Sequence, residues 1–335
     1  MRTTLALIFW LFPLIALAQD WEDRRLFGTP EAETQLRVLS STDTSLFAPV
    51  IERFLSDNPD VSVEYLVTGT SDIYTIFRQN PEAFDVVISS AMDLQIKNAN
   101  DGFARPLQNV SHPKWAQWRN SLFAFTSEPA AIVINRAAFA GQAIPGTRQE
   151  LIEALRARPD TFRGRVGTYD VRQSGLGYLF ATQDARASET YWRLMEVMGA
   201  LDVRLYCCSG DMIDDLADGT IAVAYNVLGS YATARVDSRD TLEIILPSDF
   251  PTTMMRTAMV SSAAPQPERA EDFVRHLIAL QSSADRDILP LPPINAQIND
   301  PDRATIVLEP ALMTFLDALT RRKFLAEWED AVIQE

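Results

Sequence analysis

Short apolar runs that each end in small hydroxylated residues set the rhythm of this 335-residue chain. Leu36 to Leu39 runs into Ser40-Ser41-Thr42-Asp43-Thr44, Val61 to Val67 into Thr68-Gly69-Thr70-Ser71, and Asp85 to Ile88 into Ser89-Ser90-Ala91. Runs of this length predict strands. After the first of them Leu46, Phe47, Val50, Ile51, Phe54 and Leu55 fall on one face of a helix that Asp57-Asn58-Pro59 stops, and strand, helix and strand then alternate through Val86. This is the βαβ pattern of a mainly parallel sheet covered by helices. A strand that stops in Ser, Thr or Gly before a helix delivers backbone N–H groups and hydroxyls to one sheet edge, where a small polar or anionic molecule can bind.

A long apolar stretch, Phe123 to Ile134, interrupted by Thr126-Ser127-Glu128-Pro129, leads into a second series. Thr147 with Glu150 three residues on forms a capping box for a helix carrying Leu151, Ile152 and Leu155. Strands are expected at Arg165 to Tyr169, Val203 to Tyr206, Thr220 to Tyr225 and Leu242 to Leu246. Their turns repeat the first lobe's chemistry in Asp170-Val171-Arg172-Gln173-Ser174-Gly175, in Ser209-Gly210, and from Asn226 to Tyr231. A second apolar stretch, Met254 to Ser261, crosses back. Closing helices place Leu312, Phe315, Leu316, Leu319, Phe324, Leu325, Trp328 and Val332 at helical spacing, to pack on the first lobe. The expected organisation is a first lobe over 36–127, a second over 128–257, and a return to the first over 258–335.

The N-terminus adds an address. Arg2 precedes an apolar run from Leu5 to Leu17 that ends in Ala16-Leu17-Ala18, the pattern of an export signal over residues 1–18 cleaved after Ala18. The run is shorter than the roughly 20 residues of a membrane span. Residues 19–35 read as a polar leader. The remaining length of about 317 residues suits two lobes better than one core. With 45 acidic and 30 basic residues, the formal charge of −15 becomes −16 once the signal is removed, and a surface this acidic repels nucleic acid and anionic lipid.

Chemistry-bearing residues are few. Arg172, between a strand end and Ser174-Gly175, has the fork to grip a phosphate or carboxylate while backbone N–H groups take the other oxygens. Cys207 and Cys208 are adjacent, and they read either as two small buried thiols or as a vicinal disulfide flooring the cleft beside Ser209. The two histidines, His112 and His276, have no metal or triad partners in sequence. No Gly-x-Ser-x-Gly elbow and no phosphate-loop lysine occurs, and Asp43, Asp72, Asp93 and Asp170 are the loop carboxylates from which a general base would be drawn.

The order of Arg37-Val38-Leu39-Ser40-Ser41-Thr42-Asp43, Asp85-Val86-Val87-Ile88-Ser89, Gly219-Thr220-Ile221-Ala222-Val223-Ala224-Tyr225-Asn226 and Phe324-Leu325-Ala326-Glu327-Trp328 after an export signal resembles the periplasmic solute-binding proteins of ABC transporters. The nearest branch is the ferric-iron, sugar-phosphate and phosphonate type. The resemblance implies an α/β, type II periplasmic-binding-protein fold: two mixed sheets flanked by helices and joined by two hinge strands, with ligand in the cleft between them. Ferric-binding members carry an adjacent tyrosine pair just after the strand that here ends at Tyr225-Asn226, and this chain has Gly229-Ser230 there with Tyr231 alone nearby. The expectation is therefore a periplasmic, monomeric receptor for a small anionic solute such as a phosphate ester, phosphonate or carboxylate, with no cofactor and no catalysis. Ser41, Thr42, Thr70, Ser71, Ser89 and Ser90 would contact it from one lobe, and Arg172, Ser174, Gly175, Ser209, Asn226, Ser230 and Tyr231 from the other. The partner would be an inner-membrane permease or the outer domain of a sensor kinase. Ferric iron as ligand, and an exported hydrolase using the same cleft, are the competing readings.

Overall fold

The computed structural model describes residues 21–234, 241–280, 286–294 and 305–334; the expected export signal over 1–18 lies outside them. The first lobe opens with β1 (Asp23–Phe27), β2 (Thr34–Ser40), helix α1 (Thr44–Asp57), β3 (Val61–Val67), α2 (Thr70–Gln79), β4 (Val86–Ser89), α3 (Met92–Asn100), β5 (Gln117–Trp118) and β6 (Leu122–Ala124). The second holds β7 (Glu128–Asn135), α4 (Arg148–Ala157), α5 (Pro159–Phe162), β8 (Val166–Tyr169), α6 (Gly175–Ala187), α7 (Thr190–Gly199), β9 (Arg204–Tyr206), α8 (Ser209–Ala217), β10 (Val223–Leu228), α9 (Gly229–Ala234), β11 (Leu242–Ile245) and β12 (Thr253–Met254). The chain continues through β13 (Thr257–Val260), α10 (Pro267–Leu280) and α11 (Ala318–Val332).

The first sheet runs β1-β3-β2-β4-β13-β6-β5, parallel through β3-β2-β4 and antiparallel elsewhere. The second runs β11-β7-β10-β8-β9, with β12 also paired to β7, and is parallel only through β10-β8-β9. Both parallel segments turn their C-terminal edges to the same gap. The two apolar stretches do cross between the sheets, at 125–127 between β6 and β7 and at 255–256 between β12 and β13. The capping box is present in spread form. Thr147 Oγ1 accepts from Glu150 N at 3.0 Å, while Glu150 Oε2 accepts from Gly146 N at 2.6 Å.

Two expectations need correction. The leader contains β1, an edge strand antiparallel to β3. Four of its five side chains are exposed, so no hydrophobic period announces it, and Arg24 instead shares Glu64 with Arg37. Charged residues on an edge strand also discourage pairing with other chains. The last helix does not pack on the first lobe. The 3-10 helix Pro310–Leu316 lies beside α3, and α11 then docks on α7, burying Phe324, Trp328 and Val332 with Tyr191, Leu194 and Met198 in the second lobe's core. Leu319, expected in the seam, is 71% exposed. The C-terminal segment is thus a strap across both lobes.

Candidate functional site: the interlobe cleft

Where the two sheet edges meet, the turns after β2, β3 and β4 face those after β8, β9 and β10 across a cavity of about 40 Å³. Ser41, Asp43, Thr68, Gly69, Thr70 and Ser90 line it from the first lobe; Tyr169, Ser174, Leu176, Cys207, Cys208, Ser209, Leu228 and Tyr231 line it from the second. Glu22 stands at its mouth, held by a hydrogen bond from its N–H to the Val67 carbonyl at 2.9 Å. Thr70 Oγ1 accepts from Leu176 N at 3.1 Å, and Tyr231 donates its phenol to Asp43 Oδ1 at 3.1 Å. Both bonds join the lobes, so the cleft is closed.

The floor is a charge pair. Arg256 and Glu128 are both fully buried, Arg256 on the second crossing segment and Glu128 directly after the first, as the first residue of β7: Arg256 Nε donates to Glu128 Oε1 at 3.1 Å and Nη2 to Oε2 at 3.2 Å. Arg256 Nη1 reaches Thr42 Oγ1 at 2.8 Å, and Ser230 donates to Glu128 at 2.7 Å. Removing water from two charges is costly, and the added hydrogen bonds are what make such a pair tolerable. The second lobe has a comparable group in Arg148, whose guanidinium is enclosed by Tyr225, Asp184, Asp249 and the Phe250 carbonyl.

Of the thirteen residues nominated from sequence, Ser41, Thr70, Ser90, Ser174, Ser209 and Tyr231 line the cavity. Thr42 and Ser230 lie one layer deeper, on Arg256 and Glu128. Ser174 also caps α6, accepting from Gly177 N at 3.1 Å, so its capping and cleft positions coincide. Gly175 lies where the lobes come close together: a Cβ there would lie 2.9 Å from Leu94 Cδ1 and 3.2 Å from Ala91 Cβ. Gly177, the other glycine of the Gly-x-Gly, is needed for packing, since its Cβ would overlap Tyr169 on β8 at 2.3 Å.

The four other nominees do not line the cavity. Arg172 faces away from the cleft: Nε and Nη2 hold the two Asp170 oxygens at 2.8 and 2.7 Å, and the guanidinium stacks on Trp328 of α11. A fork beside its own carboxylate two residues back is satisfied locally. Asn226 sits inside the strand, not in a turn, because β10 runs on to Leu228. It occupies a bulge with φ of 63° and donates to Asp184 in the Arg148 group at 2.7 Å. Ser89 folds back to accept from Ala91 N at 3.2 Å, and Ser71 lies on α2 outside the cavity. Sequence reasoning missed Glu22, Thr68, Glu128 and Arg256. The signal for the last two was present, since each is the single charge inside an otherwise apolar crossing stretch.

Cys207 and Cys208 are bonded to each other and line the cleft. They are not buried thiols: Cys207 is exposed and Cys208 half-buried. Asp211 Oδ2 lies 3.4 Å from Cys208 Sγ. Among the described residues this trio is the one place where three Cys, His, Asp or Glu ligand atoms converge, and its sulfurs are already joined. Of the loop carboxylates, Asp170 is held by Arg172, Asp93 is buried outside the cavity and Asp72, in the first turn of α2, is not part of its lining, leaving Asp43. Burial raises the Glu22 carboxyl above its ordinary range, and Asp43, Asp211 and Asp72 raise it further. Burial likewise holds the Tyr231 and Tyr169 phenols far above their usual titration, so both stay neutral. A larger cavity, about 450 Å³ and lined by Ser127, Pro129, Thr252 and Pro292 among others, sits against the crossing segments and presents no charged side chain among the described residues.

The signature of bacterial extracellular solute-binding proteins matches residues 40–279, most of the chain and both faces of the cleft. The chain belongs to this family. The solute-binding protein superposes on the substrate-binding protein of an ABC transporter from Agrobacterium tumefaciens with a TM-score of 0.85 and 31% identity, covering 92% of this chain and 98% of that one. More distant likenesses show the shared fold. AfuA from Actinobacillus pleuropneumoniae, with bound fructose-6-phosphate, gives a TM-score of 0.70 at 12% identity, covering 91% and 100%. Iron-bound HitA from Pseudomonas aeruginosa gives 0.66 at 13%, covering 89% and 99%. A search of curated proteins finds no match. These relatives are binding proteins, and family members serve membrane permeases. No helix among the described residues is long and apolar enough to cross a membrane.

Proposed function

We propose that this solute-binding protein is exported to the periplasm, captures one small polar solute by closing its lobes, and as a monomer presents the closed form to an ABC permease. The observation that carries this reading is the cleft itself, lined by hydroxyls and backbone of both lobes and bridged by the Thr70–Leu176 and Tyr231–Asp43 hydrogen bonds. A solute touching both sides stabilises only the closed form, and that selective affinity is what a permease reads. Ser41, Thr68, Thr70, Ser90, Ser174, Ser209 and Tyr231 are the contact residues in this reading, and the absence of Arg172 from the cleft removes the anchor on which an anionic solute was expected. Ferric iron is disfavoured by the lack of a converging trio of carboxylate or imidazole ligands among the described residues. The test is uptake. Deletion of the gene should abolish import of whichever solute shifts the melting temperature of the purified protein, and restored import by a Thr70→Ala, Tyr231→Phe double variant at wild-type rate would refute the assignment of the cleft.

A further inference from the structure

Among the described residues, the uncompensated charge around the cavity has one sign. Glu22 and Asp43 line it, and Asp72 and Asp211 stand close enough to act on Glu22 electrostatically. The cation beside them, Arg256, is neutralised by Glu128 and turned into the floor, so it brings no uncompensated positive charge. Helix N-termini do not reverse the sign. The ends of α1, α2 and α8 that point at the cleft each carry a carboxylate of their own: Asp43 at the N-cap of α1, and Asp72 and Asp211 in the first turns of α2 and α8. An anion entering here would meet the dipoles of α1, α2 and α8 already answered by side chains, with only that of α6, capped by Ser174 and without an acid in its first turn, left open.

A second, independent feature points to a ligand. Ser90 is 2% exposed and Thr68 5% exposed, both line the cavity, and neither hydroxyl is hydrogen-bonded among the described residues, each oxygen keeping some solvent access. Hydroxyls on residues this deeply buried are ordinarily paired, and two that line a cavity without a protein partner are free to bond a solute there.

We propose that the cleft selects a small organic cation whose N–H groups bond to the Glu22 and Asp43 carboxylates while Thr68 and Ser90 accept or donate the remaining hydrogen bonds. The proposal rests on the receptor reading above and adds the substrate class. Charge-assisted bonds favour such a solute in a dry cleft and carry the discrimination against phosphate esters.

The test is a calorimetric and thermal-shift panel of putrescine and agmatine against glucose 6-phosphate, phosphonoacetate and citrate, run on the wild type, Glu22→Gln and Asp43→Asn. The side-chain amide oxygen introduced by Asp43→Asn still accepts the Tyr231 hydrogen bond, so lobe closure is retained while the charge is lost. The expected result is binding of a cationic probe that weakens at least tenfold in each variant. If an anionic probe binds the wild type and binds Asp43→Asn equally or better, with lobe closure seen by small-angle scattering, the cation assignment is overturned and the receptor reading stands. If no probe of either charge binds or closes the wild type, both are overturned.

Discussion

Replacing Gly175 by valine should wedge the clamshell open. The glycine begins α6 in the second lobe, and a Cβ there would meet Leu94 Cδ1 at 2.9 Å, Thr70 Oγ1 at 3.1 Å and Ala91 Cβ at 3.2 Å, all on the first lobe. The half-exposed Leu94 can swing aside. Ala91 Cβ is fixed to the backbone, and the Thr70 hydroxyl is engaged by Leu176 N. Valine adds two further carbons at this point, and overpacking of that kind costs roughly 1–3 kcal/mol. Because the crowding exists only when the lobes meet, the whole of it acts on closure, moving the open–closed ratio by roughly 5- to 150-fold. Affinity for any solute that needs both lobes falls by the same factor once the closed form is the minor one. Small-angle scattering of the free protein would show a larger radius of gyration, and calorimetry the affinity loss, with the circular dichroism of the two cores unchanged. A valine variant with wild-type scattering and wild-type affinity would refute the inference that Gly175 governs lobe contact.

Other substitutions test the buried charges. Glu128→Gln leaves Arg256 without its counter-charge and should lower stability by about 3–5 kcal/mol in urea titration, whereas the Glu128→Gln, Arg256→Met double variant should regain part of that loss. Asp93, buried at the start of α3 with one carboxylate oxygen unpartnered, has its acid group pushed up by burial to about 7. The native state therefore holds its proton longer than the unfolded chain, so wild-type stability falls as pH rises from about 4 to about 7, by up to on the order of 4 kcal/mol. Asp93→Asn removes this slope: its advantage over the wild type should be larger at pH 8 than at pH 4, and parallel pH profiles would exclude the role. Arg172→Ala should leave solute affinity unchanged while loosening α11, measured as faster amide exchange over 324–332, because Arg172 serves Asp170, Glu329 and Trp328. Intact mass after alkylation should show no labelled thiol without reductant and two with it, as the Cys207–Cys208 bond requires.

The architecture was legible because its signals are local. Leu46, Phe47, Val50, Ile51 and Phe54 all turn inward on α1, and the hydroxyl-rich ends of β2 and β3 do open on the cleft. What the pattern hides are elements and contacts defined by other elements. Strand β1 is held by backbone pairing to β3 and buries little, so its composition is that of a leader. The closing helix is amphipathic whichever lobe it covers, and periodicity names a face without naming the partner. Arg172 shows the same limit for chemistry: its neighbours in sequence suggest an anion clamp, yet Asp170, two residues back, takes the fork first.

The site's central pair illustrates what pattern reading does contain once charge is read together with burial. Each crossing stretch is long, apolar and interrupted by one ionised residue, Glu128 in the first and Arg256 in the second. A single charge in a segment destined for burial needs an opposite charge nearby, and two segments that must both pass between the lobes are each other's nearest candidates. That pairing places the hinge on fixed, mutually satisfied charges, and Thr42 and Ser230 tie one lobe to each end of it. The floor is then electrostatically closed, so in the cation reading proposed above it is Glu22 and Asp43, lining the cavity over that floor, that set the sign of the solute.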